Sequence, residues 1–402
     1  MKKRIIIIVS VLFLITAGAG IVAANSHKDN NTNQVIIRNE EGENSINSFD
    51  SKLFTALSNK SENVNYSAVS IYSLLYALSK GSDNNTQNEI NSVLEYAPSQ
   101  EIDEYIKNMI NTTENMSNSI WYNQNLDLQS AYNDFLAELN FDQNKVDFSK
   151  QKSVQNNINS FVSKKTGRLI KQLLSEPLPV DTRLMLLNTL YFEQKWGTKF
   201  DKKKTSTQDF SVDSDEKIKV RMMSDTRVVF YYENETLQAI SLPYENTRYS
   251  MIIFLPKDVD FDFSKFDLKE SMSIFNKEHE LKRLQMYIPK FEAKSHYDLI
   301  PVLQDLGIKD AFQGGSADLS KIFTTSENLF LNQALHEVVI KVDEEKTKAA
   351  AVTMFGAKSA SEEIYSNLIF WVDHPFCYVI YDEQNNINLF AGIIRRPVFT
   401  ES

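Results

Sequence analysis

The stretch Val338-Val339-Ile340-Lys341-Val342-Asp343-Glu344-Glu345-Lys346-Thr347-Lys348-Ala349-Ala350-Ala351-Val352-Thr353 changes character at its midpoint. Up to Val342 it reads as a strand, with His336, Val338, Ile340 and Val342 on one face, because successive side chains of an extended chain point to opposite sides. Three acidic residues follow, then a run of small ones that leads into the polar, low-complexity residues 356–363. At a period of two, that run separates into Thr347, Ala349, Ala351, Thr353 and Phe355 on one side and Lys346, Lys348, Ala350, Val352 and Met354 on the other. The first face is small and uncharged, and both lysines lie on the second. This is the binary pattern of a strand with one buried face, yet alanine favours helix over strand. A local preference at odds with the pattern marks a functional or strained segment.

Outward from this stretch the chain sorts into helices first and strands later. Phe49, Leu53 and Leu57 recur at helical spacing, further helices are predicted over 67–78, 128–139 and 154–162, and Thr86-Gln87-Asn88-Glu89 has the spacing of a capping box. From Arg183 onward, strands are predicted over 184–192, 228–232, 250–255, 285–288, 329–342, 368–381 and 387–394, with helical segments at 266–275 and 298–306. The order points to an α+β body built on a large mixed or antiparallel sheet. No internal repeat and no Pro/Gly/Ser-rich linker interrupts residues 48–402, which read as one domain.

Composition narrows the class. The 402 residues include 42% hydrophobic ones and a single Cys, which excludes a disordered or disulfide-stapled protein. With 43 Lys and Arg against 53 Asp and Glu, the net charge of −10 excludes nucleic acid as the main partner. Eleven glycines in the whole chain leave few for phosphate-cradling loops. The basic start Met1-Lys2-Lys3-Arg4 and the uncharged, mostly apolar residues 5–24 form an export signal. Two readings stay open: a signal peptide cleaved after about Ala24, or a retained anchor that tethers the protein to the membrane through residues 5–24. Residues 25–47 are polar and read as a linker. Either way the folded body lies outside the membrane, and no Cys follows the apolar run closely enough for lipid attachment.

A search for catalytic chemistry gives little. His336-Glu337 begins like a zinc-protease helix, but the second ligand position is Ile340, and no metal site is expected. Neither a nucleophile elbow nor a phosphate loop is present. Cys377 lies near His374, but Phe376-Cys377-Tyr378-Val379-Ile380 is an apolar strand in which Cys is core filler. No enzyme activity and no cofactor are expected.

Glu344-Glu345-Lys346-Thr347-Lys348-Ala349-Ala350-Ala351 resembles the reactive-loop hinge of the serpins, the serine protease inhibitors, in a form of the prokaryotic, exported type. Other landmarks fall in serpin order: Ser67-Ala68-Val69-Ser70-Ile71, Asn188-Thr189-Leu190-Tyr191-Phe192 with Lys195-Trp196, Leu335-His336, and Asp373-His374-Pro375-Phe376. The resemblance implies a large mixed central sheet with two smaller sheets, about eight or nine helices, and an exposed reactive-centre loop at about 344–368. It implies a suicide mechanism in which the target protease cuts the loop, is acylated, and is trapped in a covalent 1:1 complex as the loop inserts into the main sheet. A non-inhibitory serpin-fold carrier or chaperone is the alternative. The implied hinge is Glu344, Glu345, Lys346, Thr347, Ala349, Ala350, Ala351 and Thr353. The implied shutter under the sheet is Ser67, Ser70, Asn188 and His336; the breach at its top is Trp196, Lys290 and Glu344. Family spacing puts the scissile bond at Ala360-Ser361, suiting an elastase-like or subtilisin-like target, with Lys358-Ser359 as runner-up for a trypsin-like one. Two positions depart from the pattern: Lys346 stands where the hinge has Gly, and Ala68 where Pro is usual. Residues 99–111 carry Glu101, Asp103 and Glu104 against Lys107 alone, so no heparin site is expected. The protein is expected to be a monomer, secreted or tethered on the outer side of the cell membrane.

Overall fold

Helix α1 (Glu40–Ser58) begins where the Asn39 side chain accepts a hydrogen bond from Gly42 N, and it buries Ile46, Phe49, Leu53 and Leu57 as one stripe. In this computed structural model, which describes residues 38–345 and 368–400, α1 corrects the domain boundary. The fold starts inside the stretch read as a polar linker, because the polar Glu43 and Ser45 are themselves buried in the helix. The leader, residues 1–24, lies outside the described residues. Ser67 caps α2 (Ala68–Gly81) by accepting from Ser70 N. Asp83, not Thr86, caps α3 (Asn84–Leu94); the Thr86 hydroxyl accepts from Asp318 N instead, so the capping box does not form. The other helices are α4 (Gln100–Thr112), α5 (Ser130–Glu138), α6 (Gln151–Lys165), α7 (Leu268–Glu278) and α8 (Ile300–Leu306), eight in all among the described residues.

The strands, in chain order, are β1 (Val64–Tyr66), β2 (Met116–Asn123), β3 (Asp142–Val146), β4 (Leu184–Phe192), β5 (Ser206–Ser211), β6 (Lys217–Glu233) and β7 (Leu237–Pro243). They continue with β8 (Tyr249–Pro256), β9 (Glu280–Pro289), β10 (Phe291–Asp298), β11 (Gln333–Val342), β12 (Ile369–Trp371), β13 (Phe376–Asp382) and β14 (Ile387–Ile394). The run expected as one strand over 368–381 is broken around Pro375, which has no N–H for a ladder.

These strands form two sheets. One has five strands in the order β10-β11-β4-β2-β3 and is mixed: β4 and β11 lie side by side in parallel, and each has an antiparallel neighbour on its outer side. The other has nine strands, ordered β1-β14-β13-β8-β7-β6-β9-β12 with β5 also on β6. Three sheets were expected; the two smaller ones are joined. The 17-residue β6 pairs with β5 at its start, β9 through its middle and β7 at its end, so the hydrogen bonding never breaks. The α+β architecture with a mixed sheet stands.

Most of the core lies between the sheets and under α1 and α2. A second, smaller core sits on the opposite face of the five-stranded sheet, where Val154, Ile158 and Val162 of α6 pack with Met185 and Leu187 of β4 and Leu335 and Val339 of β11. At one point the packing requires glycine. A Cβ on Gly392 of β14 would stand 2.4 Å from the Val64 carbonyl oxygen and 2.6 Å from the Tyr378 ring, so β1 could not pair there with any other residue.

Candidate functional site

The seam between β4 and β11 brings most of the singled-out residues together. Eight pairs run in parallel register from Gln333 opposite Met185 to Ile340 opposite Phe192. Alternation places Leu186, Asn188 and Leu190 with Ala334, His336 and Val338 toward the main core, and Leu187 with Leu335 and Val339 toward α6. His336 and Asn188 are register partners on the inner face, and both are fully buried.

One chain of hydrogen bonds crosses this seam. Ser67 N donates to His336 Nε2 at 3.2 Å, which leaves the ring proton on Nδ1 to donate to Asn188 Oδ1 at 2.9 Å. Asn188 Nδ2 in turn donates to Asn118 Oδ1 of β2 at 2.7 Å. The chain therefore joins α2, β11, β4 and β2. Burial pushes the His336 imidazolium pKa down to about 3, with a smaller contribution from His296, so the neutral tautomer holds at every ordinary pH. Ser70 contributes its backbone N–H to Ser67 Oγ, whereas its own buried hydroxyl has no hydrogen-bond partner among the described residues. Asn118 was not singled out from the sequence. It sits in a polar-looking strand with no apolar alternation, so nothing local marked it.

The upper end of the seam is closed by a second set of contacts just after Val342. Trp196 Nε1 donates to the Asp343 carbonyl at 2.9 Å, while its ring stacks on Tyr244 with centroids 4.6 Å apart. Glu344 is buried: Lys290 Nζ lies 2.9 Å from one carboxylate oxygen and the Thr205 hydroxyl donates to the other at 2.7 Å. Burial alone would raise the Glu344 pKa, but the bonds from Thr205 and Lys290 outweigh it and hold the carboxyl below its ordinary value. Glu345, one residue on, pairs with Lys202 at the surface. Thr205 is a second participant that sequence reasoning missed, since a Thr after three lysines carries no distinguishing signal. Lys346, Thr347, Ala349, Ala350, Ala351 and Thr353 lie outside the described residues, as do both candidate bonds, Ala360-Ser361 and Lys358-Ser359.

The remaining candidates do not assemble. Cys377 is fully buried and its thiol is pushed well above the usual range by burial, and His374 Nε2 is held by the Pro256 carbonyl. Among the described residues no group of three or more His, Cys, Asp or Glu could hold a metal ion.

A family model described as Serpin (serine protease inhibitor) matches residues 44–397. The chain belongs to the serpin family. It is 30% identical over 376 residues to an uncharacterized serpin-like protein of Methanosarcina acetivorans, covering 88% of this chain and 85% of the relative. It is 34% identical over 258 residues to alaserpin of Manduca sexta, covering 63% and 65%. Among solved structures, the native state of the thermophilic serpin tengpin matches with a TM-score of 0.79 at 24% identity, over 89% of this chain and 95% of that one; this likeness speaks to the fold. Serpins in general are inhibitors of serine proteases, not enzymes, and bind their targets in 1:1 complexes. In this serpin the hinge motif follows directly on β11, the strand that brings His336 to the seam.

Proposed function

We propose that this serpin acts as a suicide substrate of a serine endopeptidase of the elastase-like or subtilisin-like kind. The supporting observation is the parallel β4–β11 seam itself. A chain that turns back after Glu345 and enters between the two strands runs antiparallel to both. One parallel interface is then replaced by two antiparallel ones, which pair more favourably per residue. With about 14 residues inserted, each hydrogen bond gained contributing ~0.5–1.5 kcal/mol net, the change is of order 10 kcal/mol. Entry into a closely packed sheet requires small inward side chains, which Thr347, Ala349, Ala351 and Thr353 provide.

The chemistry up to that point is the protease's own. Its serine oxygen attacks the Ala360 carbonyl carbon, the bond to Ser361 nitrogen breaks, the new amine takes the proton, and Ala360 remains as an ester on the enzyme. Insertion then carries the enzyme away before water reaches the ester. For this to happen β4 and β11 must separate, so the His336–Asn188 bond across the seam must be released. Glu344 and Trp196 hold the entry end until then. No cofactor is needed, the protein acts as a monomer, and the leader places it outside the cell, free or tethered.

Lys346 favours a second reading, a non-inhibitory serpin-fold carrier or chaperone, because lysine lacks the backbone freedom of the hinge glycine and slows entry. Incubation with elastase-like, subtilisin-like and trypsin-like enzymes, read by denaturing electrophoresis and fragment mass, separates the two. The inhibitor forms a denaturant-stable complex and gives, on denaturation, a C-terminal fragment beginning at Ser361, or at Ser359 for the runner-up. Clean cleavage without a complex, and without a rise in thermal stability, would establish the second reading.

A further inference from the structure

Large apolar side chains left in water are few in this molecule, and they are not scattered. Of the eight exposed among the described residues, five stand on three neighbouring strands: Val228 and Phe230 on β6, Leu281 on β9, and Ile369 and Trp371 on β12. Register shows that they share one face of the nine-stranded sheet. Phe230 is opposite Leu281, Ile369 is opposite Gln285, and Trp371 is opposite Tyr287, on whose ring it stacks at 4.7 Å. From Leu281 to Tyr287 this face is roughly 20 Å long, with the exposed Arg283 and Gln285 between its two apolar ends, and three strands make it about 10 Å wide. A soluble protein keeps such a surface when something else covers it.

The stripe begins where the described chain resumes after residue 367. Leu368 is bonded to β9 through Gln285 N, and Ile369 is the first residue of β12. Because β12 runs parallel to β9, the direction back from Trp371 through Leu368 follows β9 toward Leu281. The stripe therefore flanks the C-terminal foot of the loop on both sides. A protease seated on that loop holds the residues after the scissile bond in the half of its cleft nearest this foot.

We infer that Trp371, Ile369, Tyr287 and Leu281 form an exosite that docks an apolar rim of the target protease on the leaving-group side of its cleft. The inference rests on the inhibitor reading above and adds a specificity surface to it. Aromatic side chains at a contact of this kind carry a large share of binding, and Trp and Tyr lead among them. The exosite acts at one stage only. After acylation the enzyme is joined to the chain before the scissile bond, while β12 belongs to the chain after it and stays on the body. Contacts to the stripe thus speed encounter and do not alter the competition between trapping and hydrolysis.

That division supplies the test, made with the full serpin and whichever protease of the panel forms the stable complex. Trp371→Ala should lower the second-order rate of inhibition about tenfold, and Ile369→Glu and Leu281→Glu should each lower it severalfold. The number of inhibitor molecules consumed per enzyme trapped, and the thermal stability of Ile369→Glu and Leu281→Glu, should not change. Ile369 and Leu281 are 47% and 61% exposed, so these two variants keep the test valid if loss of the Trp371 ring loosens β12. Unchanged rates in all three variants, with the parent still forming its complex, would overturn the exosite and leave the inhibitor reading standing. Rates that fall only together with thermal stability would overturn it too. A parent that forms no complex with any protease would overturn both.

Discussion

The two sheets are built on opposite plans. In the nine-stranded sheet, β13 and β14 meet through Val379, Ile380, Phe390 and Ile393, fully or almost fully buried, and apart from β12 on β9 its neighbours pair antiparallel. In the five-stranded sheet the two central strands are parallel, and their middle is polar: Asn188, Thr189, His336 and Glu337 are all buried. Thr189 even buries a hydroxyl that has no partner among the described residues. Apolar packing has no directional preference, but its loss on opening is proportional to area, so it resists separation everywhere along a strand. Hydrogen bonds across a seam are released one at a time and can be remade with new partners. The insertion proposed above would meet less apolar resistance in the polar middle of the β4–β11 seam than between β13 and β14.

The comparison can be broken most forcefully in the apolar sheet. Ile393→Ala should cost about 2–5 kcal/mol, equally in the intact and the loop-cleaved protein, because the proposed insertion leaves its surroundings unchanged; thermal denaturation of both forms checks it. A loss confined to the intact form would mean that the nine-stranded sheet also rearranges.

The buried titratable groups sharpen the contrast, because they respond to pH in opposite senses. His336, pushed down to about 3, stays neutral in the folded chain while the unfolded chain takes up a proton below about 6.5. Its contribution is therefore complete above 6.5 and is lost as pH falls toward 3. Asp50 of α1, bonded to Tyr66 of β1 and Asn388 of β14, is pushed up to about 6 by burial. It keeps its proton where the unfolded chain releases it near 3.9, so its contribution is present in acid and is lost as pH rises through 6. Urea titrations across pH should show His336→Gln flattening the loss of stability between pH 6.5 and 4, by up to about 1.4 kcal/mol per pH unit. Asp50→Asn should do the reverse, gaining on the parent as pH rises to 8.

The smallest effect belongs to the entry end. Lys290→Ala leaves the Glu344 carboxylate with Thr205 as its one remaining partner of the two named and should weaken the intact protein by about 1–3 kcal/mol, again by thermal denaturation. The loop-cleaved form should be indifferent, because the proposed insertion takes Glu344 out of the pocket. Equal losses in both forms would show an ordinary structural ion pair.

What was legible in the sequence follows the same division. The apolar strands β4 and β14 lie where periodicity put them, and β11 nearly so, because every second position or more is hydrophobic. The polar strands were not legible. β2, with Ser117, Asn118 and Ser119 buried, and β3, Asp-Gln-Asn-Lys-Val, owe their conformation to neighbours rather than to any alternation of their own. Only five residues of β6 were read, although Lys217, Lys219 and Arg221 alternate with Ile218, Val220 and Met222 at a period of two in its first half. Helix α4 was missed although Ile102, Tyr105, Ile106, Met109 and Ile110 make a regular stripe; its charges were weighed and its period was not. At the site, the residues brought by the resemblance meet as pairs, whereas Asn118 and Thr205 could be found only in three dimensions. Each supplies a hydrogen bond whose partner lies 70 or more positions away.

The strand β12 gives the loop two feet of very different grip. The near foot, at Glu345, follows a ten-residue strand clasped on both edges, whereas the far foot rests on three residues bonded to β9 along a single edge. A short tether at a free margin is held by one ladder, whereas a strand embedded between neighbours is held by two. Any pull on the loop is therefore resisted unequally, and the structure has a built-in weak link at its far end.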